Sequence, residues 1–126
     1  MVIRGGTRKI LKTSFCNGKK HDFRLFKESR VLLRKDTALQ ADSGYQGIHR
    51  VHECSTIPRK NTKKNPLTRD DKRFNHELSK KRIEVENVLA SLKKFRILSD
   101  RYRNRRKRFG LRFNIIAGIH NYELDF

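Results

Sequence analysis

Four residues of this chain could do chemistry together: Asp42, Arg82, Glu86 and Lys93. With Arg82 at zero and about 100 degrees per residue on a helix, Glu86 and Lys93 fall at about 40 and 20 degrees. Asn75 and Ser79 join that line at about 20 and 60 degrees. Leu78, Val85, Val88, Leu89, Leu92 and Phe95 form an apolar arc beside it. Glu86 can then be read in two ways: half of a helical ion pair with Arg82, worth a few tenths of a kcal/mol, or a carboxylate projecting from the rim of a core towards a metal. In the second reading Arg82 and Lys93 hold phosphate. A second acid at a strand end would favour the second reading, and Asp42 stands at the end of the short apolar run Thr37-Ala38-Leu39-Gln40-Ala41. In α/β sheets ligands meet the chain at such ends. Alone, Asp42 before a glycine turn also fits an N-cap or Asx-turn.

The elements that must position these residues follow from the same pattern. Val2-Ile3 and residues 9–15 read as two strands of a hairpin, with Gly5-Gly6 as its two-residue loop. Residues 17–20 are a loop. Asp22 is expected to cap a short helix carrying Phe23, Phe26 and Val31 to Leu33. Residues 37–42 and 53–57 read as two short strands, the second stopped by Pro58. A basic linker at 58–67 leads to a long helix from Thr68 to about Phe95, with Thr68 and Asp71 as a capping box. A terminal helix over 109–124 shows Leu111, Ile115, Ile119 and Tyr122 at helical spacing. The chain thus divides into 1–57 (hairpin remnant, short helix, two strands), 58–67 (linker), 68–96 (long helix) and 97–126 (basic segment and terminal helix).

Composition narrows the partner. Lys and Arg number 32 against 13 Asp and Glu, a formal net charge of +19. Such an excess points to a polyanion, because each cation that neutralises a phosphate releases condensed counterions. It does not separate a DNA enzyme from a non-catalytic basic nucleic-acid-binding protein, which remains the alternative. Arg103, Arg105 and Arg106 in the densest basic run are further phosphate-binding candidates. Two cysteines, Cys16 and Cys54, are too few for a disulfide framework, and no apolar run reaches the roughly 20 residues that span a bilayer. A cytoplasmic, nucleoid-associated setting with no membrane partner is expected. A zinc module from His49, His52 and Cys54, with Cys16 or His21, lacks the paired ligand spacing that such modules show.

The motifs Gly18-Lys19-Lys20-His21-Asp22-Phe23, Asp42-Ser43-Gly44-Tyr45-Gln46-Gly47, Asn75-His76-Glu77-Leu78-Ser79, Arg82-Ile83-Glu84-Val85-Glu86 and Tyr102-Arg103-Asn104-Arg105-Arg106 resemble the DDE transposases of bacterial insertion sequences. The family pattern Tyr-x2-Arg-x3-Glu-x6-Lys is matched in register by Arg82, Glu86 and Lys93, with Ser79 in the Tyr slot. The resemblance implies an α/β, RNase H-like fold in which Asp42 is the second catalytic acid and Glu86 the third. It also implies two Mg²⁺ or Mn²⁺ ions that activate the attacking group and stabilise the leaving oxygen of a phosphodiester. The DNA partners would be insertion-sequence ends and target. The family's first Asp belongs to an opening central strand upstream of the hairpin, and neither Asp22 nor Asp36 is placed to replace it. The expectation from the resemblance is a truncated fold that lacks this strand, keeps residues 37–42 and 53–57 as a parallel pair, does not fold stably by itself and is inactive alone. An upstream transposase fragment, or a homo-oligomer, would be its protein partner.

Overall fold

The computed structural model describes residues 1–16, 18–100 and 108–126. They form a mixed α/β structure with two small sheets and four α-helices. The order is β1 (Val2–Ile3), β2 (Ile10–Lys12), α1 (Asp22–Glu28), β3 (Leu39–Gln40), a 3-10 turn (Ile48–Arg50), β4 (Ser55–Thr56), α2 (Arg69–Leu92), α3 (Arg96–Ser99) and α4 (Phe109–Glu123). Two compact units are present: Met1–Phe15 with Arg82–Phe126, and Cys16–Lys81.

In the first unit, β1 and β2 pair antiparallel with Val2 opposite Lys12 and Ile3 opposite Ile10. The connection is longer than the two-residue loop expected. The Arg8 N–H donates to the Arg4 carbonyl and the Arg4 N–H to the Lys9 carbonyl, so the turn occupies residues 4–9. Only Gly6 of the glycine pair uses positive φ (78°), and Arg8 takes the other left-handed position at 59°. Ile10, Val88, Leu92, Ile116 and Ala117 form the core, with Ile3, Ile97, Leu98 and Phe113 packed around it. Asn121 clasps β2: its Oδ1 accepts from the Ile10 N–H and its Nδ2 donates to the Ile10 carbonyl, both at 2.8 Å. His120 adds contacts to Ser91 Oγ at 3.0 Å and to the Arg8 carbonyl at 3.3 Å.

The terminal helix buries a different face from the one expected. Leu111, Ile115, Ile119 and Tyr122 are exposed, at 40 to 66%, while Ile116 and Ala117 are buried. Apolar residues lie all round this helix, so two stripes share the helical period and periodicity cannot choose between them. Asn121, which grips β2, and His120, which meets the turn before β2 at the Arg8 carbonyl, lie on the buried side.

The second unit holds the expected parallel pair, with Leu39 opposite Ser55 and Gln40 opposite Thr56. The strands are shorter than residues 37–42 and 53–57, and flanking bonds from Leu39 N–H to the Cys54 carbonyl and Ala41 N–H to the Thr56 carbonyl extend the ladder. Ile48 is fully buried and Leu78 nearly so. The cap of α1 is His21 and not Asp22: His21 is extended and its Nδ1 accepts from the Phe23 N–H at 3.2 Å, leaving Asp22 as the first helical residue. An acid there still suits the positive end of the helix dipole. The helix ends at Glu28, so Val31 to Leu33 lie outside it.

The capping box of α2 is formed in both directions. The Thr68 N–H donates to Asp71 Oδ2 at 3.0 Å and the Asp71 N–H donates to Thr68 Oγ1 at 3.2 Å. This helix stops at Leu92, short of Phe95. Bonds from Lys94 N–H to the Ser91 carbonyl and from Phe95 N–H to the Leu92 carbonyl tighten its last turn, and Phe95 turns extended to cap α3. Such i to i+3 bonds satisfy carbonyls that a helix end leaves orphaned. Phe95 is therefore 40% exposed and leaves the apolar arc, where Leu78, Val88 and Leu92 are buried.

Candidate functional site

Asp42 lies two residues beyond β3, where the chain leaves the parallel pair. Its backbone carbonyl accepts from the Tyr45 N–H at 3.0 Å, and its Oδ1 accepts from the Ser43 N–H at 2.7 Å. The turn continues through Gln46 Nε2, which donates to the Ser43 carbonyl, to Gly47 at a φ of 81°. A side chain other than glycine would be strained there. One carboxylate oxygen of Asp42 thus accepts from the adjacent N–H, which differs from an Asx-turn, where the acceptor reaches two residues on, and the residue stays exposed to solvent.

The first residues of α1 and the Asp42 turn share an aromatic cluster. Tyr45 meets Phe23 at 5.5 Å and Phe26 at 6.0 Å between ring centroids. A Cβ on Gly44 would stand 3.7 Å from His21 Cε1, so the imidazole that caps α1 also lies against this turn. Burial pushes the Tyr45 phenol above its ordinary value, and the negative charges of Asp22 and Asp42 push it further. The Gly18-to-Phe23 motif is tied down as well: Glu28 takes Lys20 Nζ at 2.5 Å on one carboxylate oxygen and Arg24 Nε at 3.0 Å on the other. These two cations hold the Glu28 carboxyl below its usual range, Lys20 having the larger effect.

Arg82 and Glu86 lie on α2, and Lys93 follows its last residue, with its N–H donating to the Leu89 carbonyl at 3.0 Å. Arg82 is half-buried while Glu86 and Lys93 are exposed. Among the described residues Glu86 enters no ion pair, so the ordinary helical pair with Arg82 is not formed. Asn75 has a task that its place on the Arg82 line does not reveal. Its Oδ1 accepts from the Arg59 N–H at 2.8 Å and its Nδ2 donates to the Arg59 carbonyl at 2.9 Å, fixing the linker to α2. The Arg59 guanidinium lies over Phe74 at 5.1 Å and pairs with Asp71. Sequence reading gave Asn75 and Asn121 no role, because a clasp on a distant backbone has no local spacing. Arg103, Arg105 and Arg106 lie outside the described residues.

The donor chemistry of Asp42 and Glu86 suits Mg²⁺ or Mn²⁺, which take carboxylate oxygens. The donor number falls short: among the described residues no group of three His, Cys, Asp or Glu side chains could hold an ion. That covers the zinc reading too, since His52 Nε2 is spent on the Thr37 carbonyl at 2.5 Å and His49 Nδ1 on Ser55 Oγ at 3.2 Å. No helix among the described residues is long and apolar enough to cross a membrane.

Comparison with known proteins agrees with the motif reading. The family model described as the transposase DDE domain matches residues 1–121. The chain is 48% identical over 124 residues to the probable transposase for insertion sequence element IS702 of Microchaete diplosiphon. That match covers 98% of this chain and 45% of the relative, so the chain spans less than half of the relative's length. No solved structure matches. With its family domain running through residue 121 and Arg82, Glu86 and Lys93 in register, this chain belongs to the DDE transposases.

Proposed function

We propose that these 126 residues are part of an RNase H-like transposase domain that cleaves and rejoins DNA phosphodiesters at insertion-sequence ends. Asp42 and Glu86 are two of its three metal-holding acids, and Arg82 and Lys93 counter phosphate charge beside Glu86. The observation that carries this reading is Glu86: exposed on α2, outside any described ion pair, and in register with Arg82 and Lys93. A carboxylate kept only for helix stability would have its cation one turn away in contact.

Two Mg²⁺ or Mn²⁺ ions, when bound, supply the activation of the attacking oxygen and the stabilisation of the leaving one. The residues here contribute oxygen donors from a strand end and a helix. The third acid comes from polypeptide outside these residues, in the same chain, in an associated fragment or in a homo-oligomer. The 126 residues alone are accordingly inactive.

The test uses supercoiled plasmid, Mg²⁺, Mn²⁺ or chelator, and the chain with and without the remainder of the Microchaete diplosiphon relative. Nicking is expected only with the added segment and a divalent ion. Asp42→Asn and Glu86→Gln should each lower it by more than about a hundredfold, since even the outer partners of metal ligands cost 10- to 100-fold. Nicking that survives both substitutions refutes the assignment. Binding without nicking under every condition would identify a non-catalytic nucleic-acid-binding protein instead.

A further inference from the structure

The first half of α2 carries a face of a different kind from the Arg82 line. With Arg69 at zero and about 100 degrees per residue, Lys72, Arg73, His76 and Lys80 fall at about 300, 40, 340 and 20 degrees. Every position in that arc of α2 between residues 69 and 81 is a basic side chain, and all five are exposed. The nearest acid, Glu77, lies at the border of the arc and reaches only Lys80, at 3.2 Å. Arg69, Lys72 and Arg73 enter no ion pair among the described residues. The linker does not cover this face: Arg59 is held by Asn75, Phe74 and Asp71, all outside the arc.

The row spans eleven residue steps from Arg69 to Lys80, about 16 Å at 1.5 Å per step. Over that length a DNA duplex presents about ten phosphates, one per roughly 1.7 Å of axis. A lipid surface would need an apolar strip beside the cations, but the flanking positions are Ser79, Glu77 and Asp70, and Leu78 is buried on the opposite side. A single strand would be gripped by aromatic side chains on which its bases stack, and the arc holds none.

We propose that the face made by Arg69, Lys72, Arg73, His76 and Lys80 is a docking surface for the phosphate backbone of duplex DNA, independent of base sequence. It rests on DNA being the partner, as proposed above, and not on the chemistry of Asp42 and Glu86. The face contains none of Asp42, Arg82, Glu86 and Lys93, so its contact with DNA does not draw on the acids.

Two measurements on the full chain, in chelator so that cleavage plays no part, test this with a 20-base-pair duplex of arbitrary sequence. First, acetylation of lysines is followed with and without duplex. Lys72 and Lys80 should be protected several-fold more than Lys81, which adjoins Lys80 in sequence but lies 100 degrees round the helix. Second, the salt dependence of binding is compared for two variants that lose the same charge. The triple variant Arg69→Gln, Lys72→Gln, Arg73→Gln should flatten the slope of log K against log salt by about 2.7, at about 0.9 per phosphate contact. The linker variant Lys60→Gln, Lys63→Gln, Lys64→Gln should flatten it by less than about 1. Glutamine keeps the helix, so loss of fold is not expected, and the acetylation pattern needs no variant at all. Equal protection of Lys80 and Lys81, or equal slopes for the two variants, would overturn the proposal. Failure of the nicking test with this pattern intact would refute the catalytic reading and leave the docking face standing.

Discussion

Replacing Asn121 by alanine should loosen β2 from α4 and destabilise the first unit. Asn121 meets both backbone groups of Ile10, at 2.8 Å each, and Ile10 is only 7% exposed. Truncation leaves a buried N–H and a buried carbonyl without these partners. Each costs about 1–3 kcal/mol when dry. The clasp is only part-buried and lies near the end of α4, so water recovers some of this and the lower end of the range applies to each group. The sum is about 2–3 kcal/mol. Alanine returns roughly half a kcal/mol through its better helix propensity. A net loss of about 2 kcal/mol remains, which lowers the folded-to-unfolded ratio some thirtyfold. Urea unfolding should show a lower midpoint with an unchanged slope, and the Ile10 amide should exchange at least tenfold faster with solvent hydrogen. Asn121→Asp keeps an acceptor for the Ile10 N–H but sets a carboxylate against the Ile10 carbonyl, and should be no better than alanine. An Ile10 amide that exchanges equally fast in the parent chain and in Asn121→Ala would refute the clasp as a stabilising contact.

Three other predictions concern the second unit. Thr68→Ala removes the hydroxyl half of the α2 capping box and should cost about 1 kcal/mol, read as a lower unfolding midpoint and weaker helical circular dichroism. In the parent chain, the Thr68 N–H, then the Arg59 guanidinium and the hydrogen-bonded Thr68 side chain hold the Asp71 carboxyl below its ordinary value of 3.8. The folded value lies under the unfolded one, so this contribution is complete above the unfolded value. It is lost as pH falls through the folded one. An acid titration of stability should therefore show a loss below about pH 4 that Asp71→Asn abolishes. For Tyr45 the sign is opposite: burial first, then Asp22 and Asp42, raise the phenol above 10.0, so its contribution is present below that value and lost as pH rises through the higher folded one. Asp42→Asn should bring the Tyr45 titration part of the way down, seen as phenolate absorbance after subtraction of the Tyr45→Phe spectrum. An unchanged titration would mean that the Asp42 charge does not reach the phenol.

What the sequence determined by itself is what depends on short spacing. The parallel pairing around Leu39 and Ser55 follows from the family resemblance, whereas the Thr68–Asp71 box and the line of Arg82, Glu86 and Lys93 each lie within about one helix, where rise and rotation per residue fix geometry. The same local rules placed Asp42 just past a strand, in a turn. Tertiary structure decided what local rules leave degenerate. The fourth helix has two apolar stripes, and the exposed one holds Leu111, Ile115, Ile119 and Tyr122 because Asn121 grips β2, and His120 the turn before it, from the other side. His21 caps α1 in place of Asp22 because its backbone is extended and its ring nitrogen reaches the Phe23 N–H. The two asparagine clasps, Asn75 on Arg59 and Asn121 on Ile10, join residues 16 and 111 positions apart. A side-chain amide offers one donor and one acceptor to any backbone segment brought beside it. Only the folded chain says which segment that is.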